Sequence, residues 1–263
     1  MSGLGARVLT LNLAHGRGTA FHQAFTTRRA IMRNLDEVAQ VILGSRADIV
    51  ALQELDQPSL WSGGFDHLHY LATATGLRHM AHGIHGRLLP RISYGTGVLS
   101  RWPIPGHASL PFRKNLLDTK GYMLAHVDSP IGALDVVSLH LDFKRAAERR
   151  SQLADVSAAL EKRADLTRSL IVAGDFNTSH EARCGTLTGF VKRHGLFVPE
   201  GSFRTFPSRR PRAHLDHVLI SACLEVVSTE VIAASVSDHL PVLVELRPRP
   251  RPQLIVPGAA AAS

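Results

Sequence analysis

Acidic, amide and histidine side chains stand at the ends of short apolar runs at six places in the chain. The six places are Leu11-Asn12, Leu52-Gln53-Glu54, Leu139-His140, Gly174-Asp175-Phe176-Asn177, Leu215-Asp216-His217 and Ser237-Asp238-His239. Carboxylate and amide oxygens can hold a hard divalent cation, and imidazoles can move protons. Strand ends that meet at one edge of a layered sheet form a common site for such chemistry, because the strands fix the geometry.

Taken singly, each of these residues has an ordinary structural explanation. Asn12 could form a turn or a helix cap, and a lone histidine such as His140 is more often a satisfied, partly buried side chain. Asp216 and Asp238 could be exposed turn carboxylates. The functional interpretation therefore depends on the joint occurrence and the order of these residues.

The elements that must position these residues are mostly short strands. Apolar or alternating runs predict strands at 8–13, 48–52, 97–100, 123–128, 134–139, 169–173, 217–220, 225–232 and 242–246. Gly132 marks a hairpin turn between two of them. The opening of the chain therefore reads as strand, helix, strand.

Two segments have the periodicity of amphipathic helices. Segment 28–44 repeats apolar residues from Ile31 to Ile42 at spacings of four, three and four, and Gly44 stands where a helix would end. Segment 145–163 is the second helix. Many strands with few helices favour α/β or α+β layers over a helical bundle.

A single domain is predicted over residues 1–246, because no repeat or linker divides it. Residues 247–263 are rich in Pro, Arg and Ala and are predicted to form a disordered tail. Segments 60–92, 101–120 and 178–212 are predicted loops, which we expect to determine substrate specificity.

The motifs occur in an order that resembles the endonuclease/exonuclease/phosphatase family, which includes pancreatic-type deoxyribonucleases, abasic-site repair endonucleases, neutral sphingomyelinases and inositol polyphosphate 5-phosphatases. The resemblance covers residues 7–246. It implies an α/β fold, a four-layer α/β/β/α sandwich with two packed sheets and helices outside. The motifs are Leu11-Asn12-Leu13, Leu52-Gln53-Glu54, Gly95-Thr96-Gly97-Val98-Leu99-Ser100-Arg101, Ser138-Leu139-His140-Leu141, Gly174-Asp175-Phe176-Asn177, Leu215-Asp216-His217 and Ser237-Asp238-His239-Leu240-Pro241.

The resemblance implies hydrolysis of a phosphate ester with a divalent cation. Such hydrolysis places charge on the phosphoryl oxygens, the attacking water and the leaving oxygen, and a hard cation held by oxygen ligands can neutralise it. Mg²⁺, with Mn²⁺ as an alternative, is the expected ion. Glu54 is the predicted main ligand, Asn12 can add a neutral oxygen, and the resemblance puts Asp238 near the metal.

The resemblance also assigns residues to the attacking water. Asp175 and Asn177 would orient it, since side chains two residues apart on an extended segment project to the same side. We hypothesise that Asp216 hydrogen-bonds to His239, which fixes the tautomer of the imidazole and raises its basicity. His239 would then act as general base or stabilise the phosphoryl oxygens, and both roles stay open.

Two further residues are expected to contact the phosphate. His140 would assist the leaving group or bind phosphate; the abasic-site repair enzymes tend to carry tyrosine in this block, whereas deoxyribonuclease-like and lipid-directed members carry histidine. Lys120 stands where relatives often place an arginine and could touch phosphate. An exposed surface lysine is the alternative for Lys120, because an ammonium is not a bidentate fork.

The charge balance favours anionic partners. The 263 residues include 30 Lys and Arg against 22 Asp and Glu, a net charge of +8. Arg204, Arg209, Arg210 and Arg212 form a basic segment, residues 204–212, and Arg204 is a predicted substrate contact. A solvated loop without a role in binding is the alternative for this segment. A nucleic acid, DNA or RNA, is the leading candidate substrate, although aromatics make up only 6% of the chain. Base-stacking binders of single strands usually need more of them.

A lipid or small-molecule phosphoester, as in sphingomyelinase-like or inositol-phosphate enzymes, is the second candidate substrate. No apolar stretch approaches the ~20 residues of a membrane helix, and the N-terminal run is too short for a signal peptide. We therefore expect a soluble, cytoplasmic monomer without stable membrane insertion. Cys184 and Cys223 do not suggest a disulfide framework.

Three other classes have weaker support. A decayed, non-catalytic binding module would usually have lost one or more of the motif residues, and all are present. No Gly-x-Ser-x-Gly elbow indicates a serine hydrolase. His79, His82 and His85 are spaced by three but lack the adjacent glutamate of a zinc motif.

Overall fold

Two six-stranded mixed sheets form the centre of the computed structural model, which describes residues 4–20, 26–59, 62–89, 92–112, 120–179, 185–201 and 203–250. In the first sheet the strands follow the order β11 (Leu224–Val231), β12 (Val242–Pro248), β1 (Ala6–Asn12), β2 (Ile49–Asp56), β4 (Ile92–Ser100), β3 (His79–Leu89). In the second sheet they follow the order β5 (Gly106–Pro111), β6 (Gly121–Ser129), β7 (Gly132–His140), β8 (Ser169–Asp175), β10 (Asp216–Ser221), β9 (Leu196–Phe197).

Helices cover the outer face of each sheet. Helices α1 (Arg28–Ser45) and α2 (His67–Thr75) pack on the first sheet, and α3 (Ala146–Glu161) and α4 (Thr186–Arg193) pack on the second. A third apolar cluster fills the space between the sheets. The layers confirm the predicted α/β four-layer sandwich. Within the described part of the chain, no helix combines the length and the apolar character needed to cross a membrane.

Successive side chains of a strand point to opposite faces of its sheet, so each strand contributes to two apolar layers. In β1, Val8 belongs to the cluster between the sheets, whereas Leu9 belongs to the cluster under α1 and α2. In β8, Ile171 lies between the sheets and Val172 lies under α3 and α4. Because both faces are buried, such strands read as continuous apolar runs, and this made them visible in the sequence.

Helix α1 forms where the apolar periodicity predicted it. The Thr27 side chain caps the N-terminus by accepting a hydrogen bond from the Ala30 N–H at 3.2 Å. The C-terminus lies one residue later than predicted: Gly44 is inside the helix, Ser45 ends it, and Arg46 adopts the left-handed conformation that closes it. The predicted stop at Gly44 is therefore wrong by one residue.

The three segments predicted as loops contain regular structure. Segment 60–92 includes α2 and β3, segment 101–120 includes β5, and segment 178–212 includes α4 and β9. Each of these elements is short or interrupted by glycine and histidine, so its periodicity is weak. These segments therefore contribute the edge strands β3, β5 and β9 and the helices α2 and α4 as well as connections.

The last strand extends past the predicted domain boundary. β12 continues to Pro248, and the Arg247 guanidinium donates two hydrogen bonds to Glu225 of the neighbouring strand, at 3.1 and 2.8 Å. The Arg249 N–H donates to the Cys223 carbonyl at 2.8 Å. The start of the predicted tail therefore belongs to the first sheet, and residues 251–263 lie outside the described residues.

Candidate active site

The polar motif residues meet at one edge of the two sheets. Asn12, His140 and Asp175 are the last residues of their strands, and Glu54 lies near the end of β2. The parallel pairing of β7 with β8 sets His140 beside Asp175, and the antiparallel pairing of β8 with β10 sets Asp175 beside Asp216. Strand register thus brings together residues that lie far apart in the sequence.

Glu54 occupies an irregularity in the first sheet. The pairing of β2 with β4 shifts register between Leu52 and Leu55, and Glu54 has a left-handed φ of 51°. Such a bulge redirects a side chain that regular alternation would place elsewhere. Its neighbour Gln53 is buried and donates to Ser138 of the second sheet at 3.1 Å. The conformation at Glu54 is therefore supported by a hydrogen bond that joins the two sheets.

The segment after β8 is turned rather than extended. Asn177 has a left-handed φ of 50°, its N–H donates to Asp175 Oδ1 at 2.9 Å, and its side chain donates to the Leu141 carbonyl at 3.0 Å. The extended-segment argument for Asp175 and Asn177 is therefore wrong. A tight turn, made by their own hydrogen bond, holds the two residues together instead.

Asp216 and His239 are directly hydrogen-bonded, as we hypothesised. His239 Nδ1 lies 2.8 Å from Asp216 Oδ2, and both side chains are buried. His239 Nε2 lies 3.8 Å from Asp175 Oδ2. Burial disfavours the imidazolium, but Asp216, Asp175 and Asp238 outweigh it and raise the pKa of His239 to about 10. The imidazole is thus oriented with Nδ1 toward Asp216 and Nε2 toward Asp175.

Lys120 lies inside the site rather than on the open surface. Its Nζ lies 2.6 Å from His140 Nε2 and donates to the Leu141 carbonyl at 2.6 Å. Burial and the adjacent ammonium lower the pKa of His140 well below its usual value. A neutral His140 can accept a hydrogen bond from Lys120, so the two residues form a cation–imidazole pair.

Asp175 Oδ2 lies at the centre of the site. Asn12 Nδ2 donates to it at 3.1 Å, and His140 Nε2 lies 3.6 Å away. Burial, with a contribution from Asp216, raises the pKa of Asp175 to about 6. One carboxylate oxygen therefore faces groups from two other strand ends and from the His239 segment.

The predicted metal ligands differ in how they are engaged. Asn12 Oδ1 accepts from the Ala14 N–H at 3.0 Å, and Asp238 Oδ2 accepts from Arg17 Nη2 at 2.9 Å. Glu54 faces imidazoles and stays partly open to solvent, with 21% of its side chain exposed. Burial raises the pKa of Glu54, but His15, His140 and Lys120 outweigh it and lower the pKa to about 2. Glu54 is therefore an ionised carboxylate, a donor that suits a hard cation.

A second set of donors also fits a metal ion. Asp175, Asp216 and His239 each offer a ligand atom, and these atoms lie within 4.8 Å of one another. Carboxylate oxygens with one imidazole suit several divalent cations. The residues present therefore fit a divalent cation through the ionised carboxylate of Glu54, and the buried cluster fits one when the His239 imidazole is neutral.

The basic segment adjoins His239. The Ser208 N–H donates to the Asp238 carbonyl at 2.7 Å, the Leu240 N–H donates to the Thr205 carbonyl at 2.9 Å, and the Phe206 ring lies 4.8 Å from the His239 ring. Arg204 is exposed on this segment. Arg204 is therefore not among the buried site residues.

Among the described residues, three that lie at the site escaped the sequence reasoning, namely His15, Arg17 and Asp56. His15 contacts Asp56 and Glu54, and Arg17 pairs with Asp238. All three lie within five residues of a recognised motif residue, since His15 and Arg17 follow Asn12 and Asp56 follows Glu54. Their closeness to the motifs was the available signal, but no pattern indicated that they would face inward.

Comparisons with known proteins agree with this fold. A UPF0294 protein of Vibrio cholerae serotype O1 is 35% identical over 119 residues, a match that spans 43% of this chain and only 40% of the length of that relative. The structure of an endonuclease/exonuclease/phosphatase from Beutenbergia cavernae has a TM-score of 0.74 at 21% identity and covers 93% of this chain and 72% of that chain. The mannosyl-6-phosphatase of Bacteroides thetaiotaomicron has a TM-score of 0.68 at 18% identity, over 92% and 99% of the two chains.

The solved structures share the fold, and the family is given by a sequence match. A model of the Endonuclease/Exonuclease/phosphatase family matches residues 9–239, which include every motif residue at the strand ends. The chain therefore belongs to the endonuclease/exonuclease/phosphatase family, a family of metal-dependent phosphoester hydrolases.

Proposed function

We propose that the protein is a phosphodiesterase that uses Mg²⁺, or Mn²⁺ in its place, and that its substrate is a nucleic acid. The observation that carries the proposal is the convergence of three groups on Asp175 Oδ2: Asn12 at 3.1 Å, His140 at 3.6 Å and His239 at 3.8 Å. A phosphoryl group at this place would meet hydrogen-bond donors and an acceptor for a water proton together.

We propose the following roles, which the contacts support. Asp175 and Asn177 hold the attacking water, and Asp175 accepts its proton as the new P–O bond forms. His239, oriented by Asp216, donates Nε2–H to a phosphoryl oxygen. The Lys120 ammonium, held by its hydrogen bond to His140, donates a proton to the leaving oxygen as the P–O bond to that oxygen breaks, and this leaves Lys120 as a neutral amine.

Glu54 is the proposed main metal ligand, with the Asp175–Asp216–His239 cluster beside it. A bound divalent cation offsets negative charge on the phosphoryl and leaving oxygens. Asn12 and Asp238 act indirectly in this proposal, because Asn12 orients Asp175 and Asp238 is paired with Arg17.

The basic segment supports a polyanionic substrate. Arg204, Arg209, Arg210 and Arg212 are exposed, and the segment that carries them is hydrogen-bonded to the Asp238–His239 region. Cations beside a phosphoester site attract a chain of phosphates more strongly than a single small ester.

A phosphomonoester or a small diester is the second candidate substrate. The observation that favours it is the fold shared with a protein named mannosyl-6-phosphatase. A non-catalytic binding module is a weaker alternative, because the site residues are all present and form a connected set.

The test is turnover by the purified protein of plasmid DNA, bis-p-nitrophenyl phosphate and p-nitrophenyl phosphate, each with Mg²⁺, Mn²⁺ or EDTA. A Glu54→Ala/His239→Ala variant is the control. Metal-dependent nicking of DNA that the variant lacks supports a nuclease. Turnover of p-nitrophenyl phosphate alone would replace the proposal with a phosphomonoesterase, and no turnover of any substrate would contradict it.

A further inference from the structure

A chain of three polar side chains ends on the proposed metal ligand. Asp56 Oδ2 lies 3.2 Å from His15 Nδ1, and His15 Nε2 lies 3.5 Å from Glu54 Oε2. The Asp56 side chain is fully buried, and 16% of the His15 side chain is exposed. An imidazole thus spans a buried carboxylate and the partly exposed carboxylate of Glu54.

The two oxygens of Glu54 face different partners. Oε2 faces His15, whereas Oε1 lies 3.8 Å from His140 and so points toward the catalytic groups. A carboxylate that has one oxygen in contact with an imidazole has fewer rotamers available. The contact with His15 therefore selects which oxygen is presented to the centre of the site.

The backbone on both sides of this contact is held in an uncommon conformation. Ala14 and His15 have φ values of 47° and 56°, and Glu54 has 51°. Left-handed conformations at residues other than glycine are costly and persist where the surroundings enforce them. The Leu13 N–H donates to the Gln53 carbonyl at 2.9 Å, which ties the turn that carries His15 to the strand that carries Glu54.

We propose that His15 is a positioning residue that holds the Glu54 carboxylate in the orientation for binding a divalent cation, and that Asp56 in turn orients His15. This inference rests on the proposed role of Glu54 as the metal ligand. Partners of this kind behind a metal ligand typically change metal affinity by 10–100-fold when they are removed.

Two amide substitutions separate the two contacts of the imidazole. His15→Gln places an amide near the position of Nε2 and keeps a donor toward Glu54. His15→Asn places its amide near the position of Nδ1, keeps the contact with Asp56 and loses the contact with Glu54. Asparagine also tolerates the left-handed backbone at this position, so the loss of the Glu54 contact is not confounded with new backbone strain.

The experiment is isothermal titration of the full-length protein with Mn²⁺ and with Mg²⁺, without substrate. We expect His15→Asn and His15→Ala to bind 10–100-fold more weakly than the wild type, and His15→Gln to lie within about threefold of it. His69→Ala, which removes an exposed histidine of α2, is the matched control and should leave the affinity unchanged. Circular dichroism of the metal-free variants checks that each is folded.

Wild-type affinity in a folded His15→Asn variant would overturn the inference. Equal losses in His15→Gln and His15→Asn would also overturn it, because the donor toward Glu54 would then be irrelevant. Absence of cation binding by the wild type would also overturn the inference, because Glu54 would then not be a metal ligand. Tight Mn²⁺ binding without turnover of any phosphodiester would contradict the proposed function alone, since the titration uses no substrate.

Discussion

At the scale of single residues, burial and neighbouring charges set the protonation of the site. The cationic neighbours of Glu54 outweigh its burial and lower its pKa to about 2, whereas burial and Lys120 lower the pKa of His140 well below its usual value. At neutral pH the site therefore combines an ionised carboxylate with a neutral imidazole. The carboxylate suits a cation, and the imidazole can accept a hydrogen bond from Lys120.

Asp216→Asn tests the pair with His239. Loss of the carboxylate removes the acceptor that orients Nδ1, so we expect the kcat for the diester to fall roughly 10²–10⁴-fold. The pKa of His239, now raised to about 10, should fall, because Asp216 is the largest of the influences that raise it. Steady-state kinetics and an NMR titration of the imidazole in metal-free protein measure the two effects. Asp128→Asn, at an exposed aspartate, is the control, and an unchanged kcat in Asp216→Asn would contradict the assignment.

Lys120→Ala tests the cation beside His140. Removal of the ammonium should lower kcat/KM by roughly 10²-fold, because a charge that stabilises the transition state is lost. The pKa of His140 should rise, since Lys120 helps to lower it. Lys144 is a matched control, because the Nζ atoms of Lys120 and Lys144 both lie over the Phe143 ring, 5.5 and 5.0 Å from its centroid. If Lys144→Ala and Lys120→Ala lose equal activity, the specific role of Lys120 is wrong.

At the scale of elements, close approach of strands sets the distances in the site. The pairing of β7 with β8 brings His140 next to Asp175, and Gly174 stands one residue before Asp175. A Cβ added at Gly174 would lie 2.1 Å from the Leu139 carbonyl oxygen, and the φ of Gly174 is 145°. Glycine at this position therefore permits the strand spacing that the site requires.

Gly174→Ala should destabilise the protein by about 2–5 kcal/mol, because backbone strain and overpacking add. Urea unfolding followed by circular dichroism measures the change. Gly189→Ala is the control: Gly189 lies in α4, nothing approaches its added Cβ within 4 Å, and alanine should stabilise a helix by roughly 0.5–1 kcal/mol. Equal stability of Gly174→Ala and the wild type would show that β7 and β8 can move apart at this point.

β3 should make the protein sensitive to acid through His85. Burial lowers the pKa of His85 to about 3, and its Nε2 lies 2.9 Å from Thr96 Oγ1. The unfolded chain, with an imidazole pKa of about 6.5, binds a proton that the folded state resists, so stability falls as pH drops below about 6.5. The loss is about 2 kcal/mol between pH 6.5 and 5.

His85→Gln removes this titration. The free energy of unfolding of the variant should therefore fall less than that of the wild type over the same pH interval. Urea unfolding at pH 6.5 and at pH 5 provides the comparison. Parallel losses in the two proteins would mean that His85 is protonated in the folded state as easily as in the unfolded chain.

At the scale of the whole molecule, net charge and the basic segment act together. The chain carries +8, and the exposed arginines of the basic segment stand beside the Asp238–His239 region. A cationic surface next to the site attracts a polyanion and releases its counterions, so binding weakens with salt. The salt dependence of binding therefore reports how many of these arginines contact phosphates.

Arg209→Gln/Arg210→Gln should reduce the slope of log K against log salt for duplex DNA by about 2, since each phosphate contact contributes about 0.9. Fluorescence anisotropy with the inactive Glu54→Ala/His239→Ala background measures the slope without cleavage. Arg29→Gln/Arg33→Gln changes the net charge equally on α1 and is the control. Equal slopes for the two double variants would mean that the basic segment does not contact the phosphates of DNA.

The sequence determined the local parts of this protein. Strands buried on both faces appear as uninterrupted apolar runs, and the periodicity of α1 predicts its length within one residue. Asn12, Glu54, His140 and Asp175 could be found because each stands at the end of such a run, and the order of all the motifs indicated the family and, through it, the sandwich. Elements such as α2 and β3 were missed, since short segments with glycine and histidine have weak periodicity.

The tertiary structure decided which side chains meet. The pairing of Asp216 with His239 was hypothesised from the motifs, whereas the contacts of Lys120 with His140 and of Glu54 with His15 appear only through the packing of the sheets and the turns at their edge. The left-handed backbone at Glu54 and Asn177 also depends on that packing, because an isolated residue of either type prefers other conformations. Local sequence encodes strand and helix. Distances between residues that are remote in the chain depend on how the two sheets pack together, and the free energy of that packing comes from many segments at once.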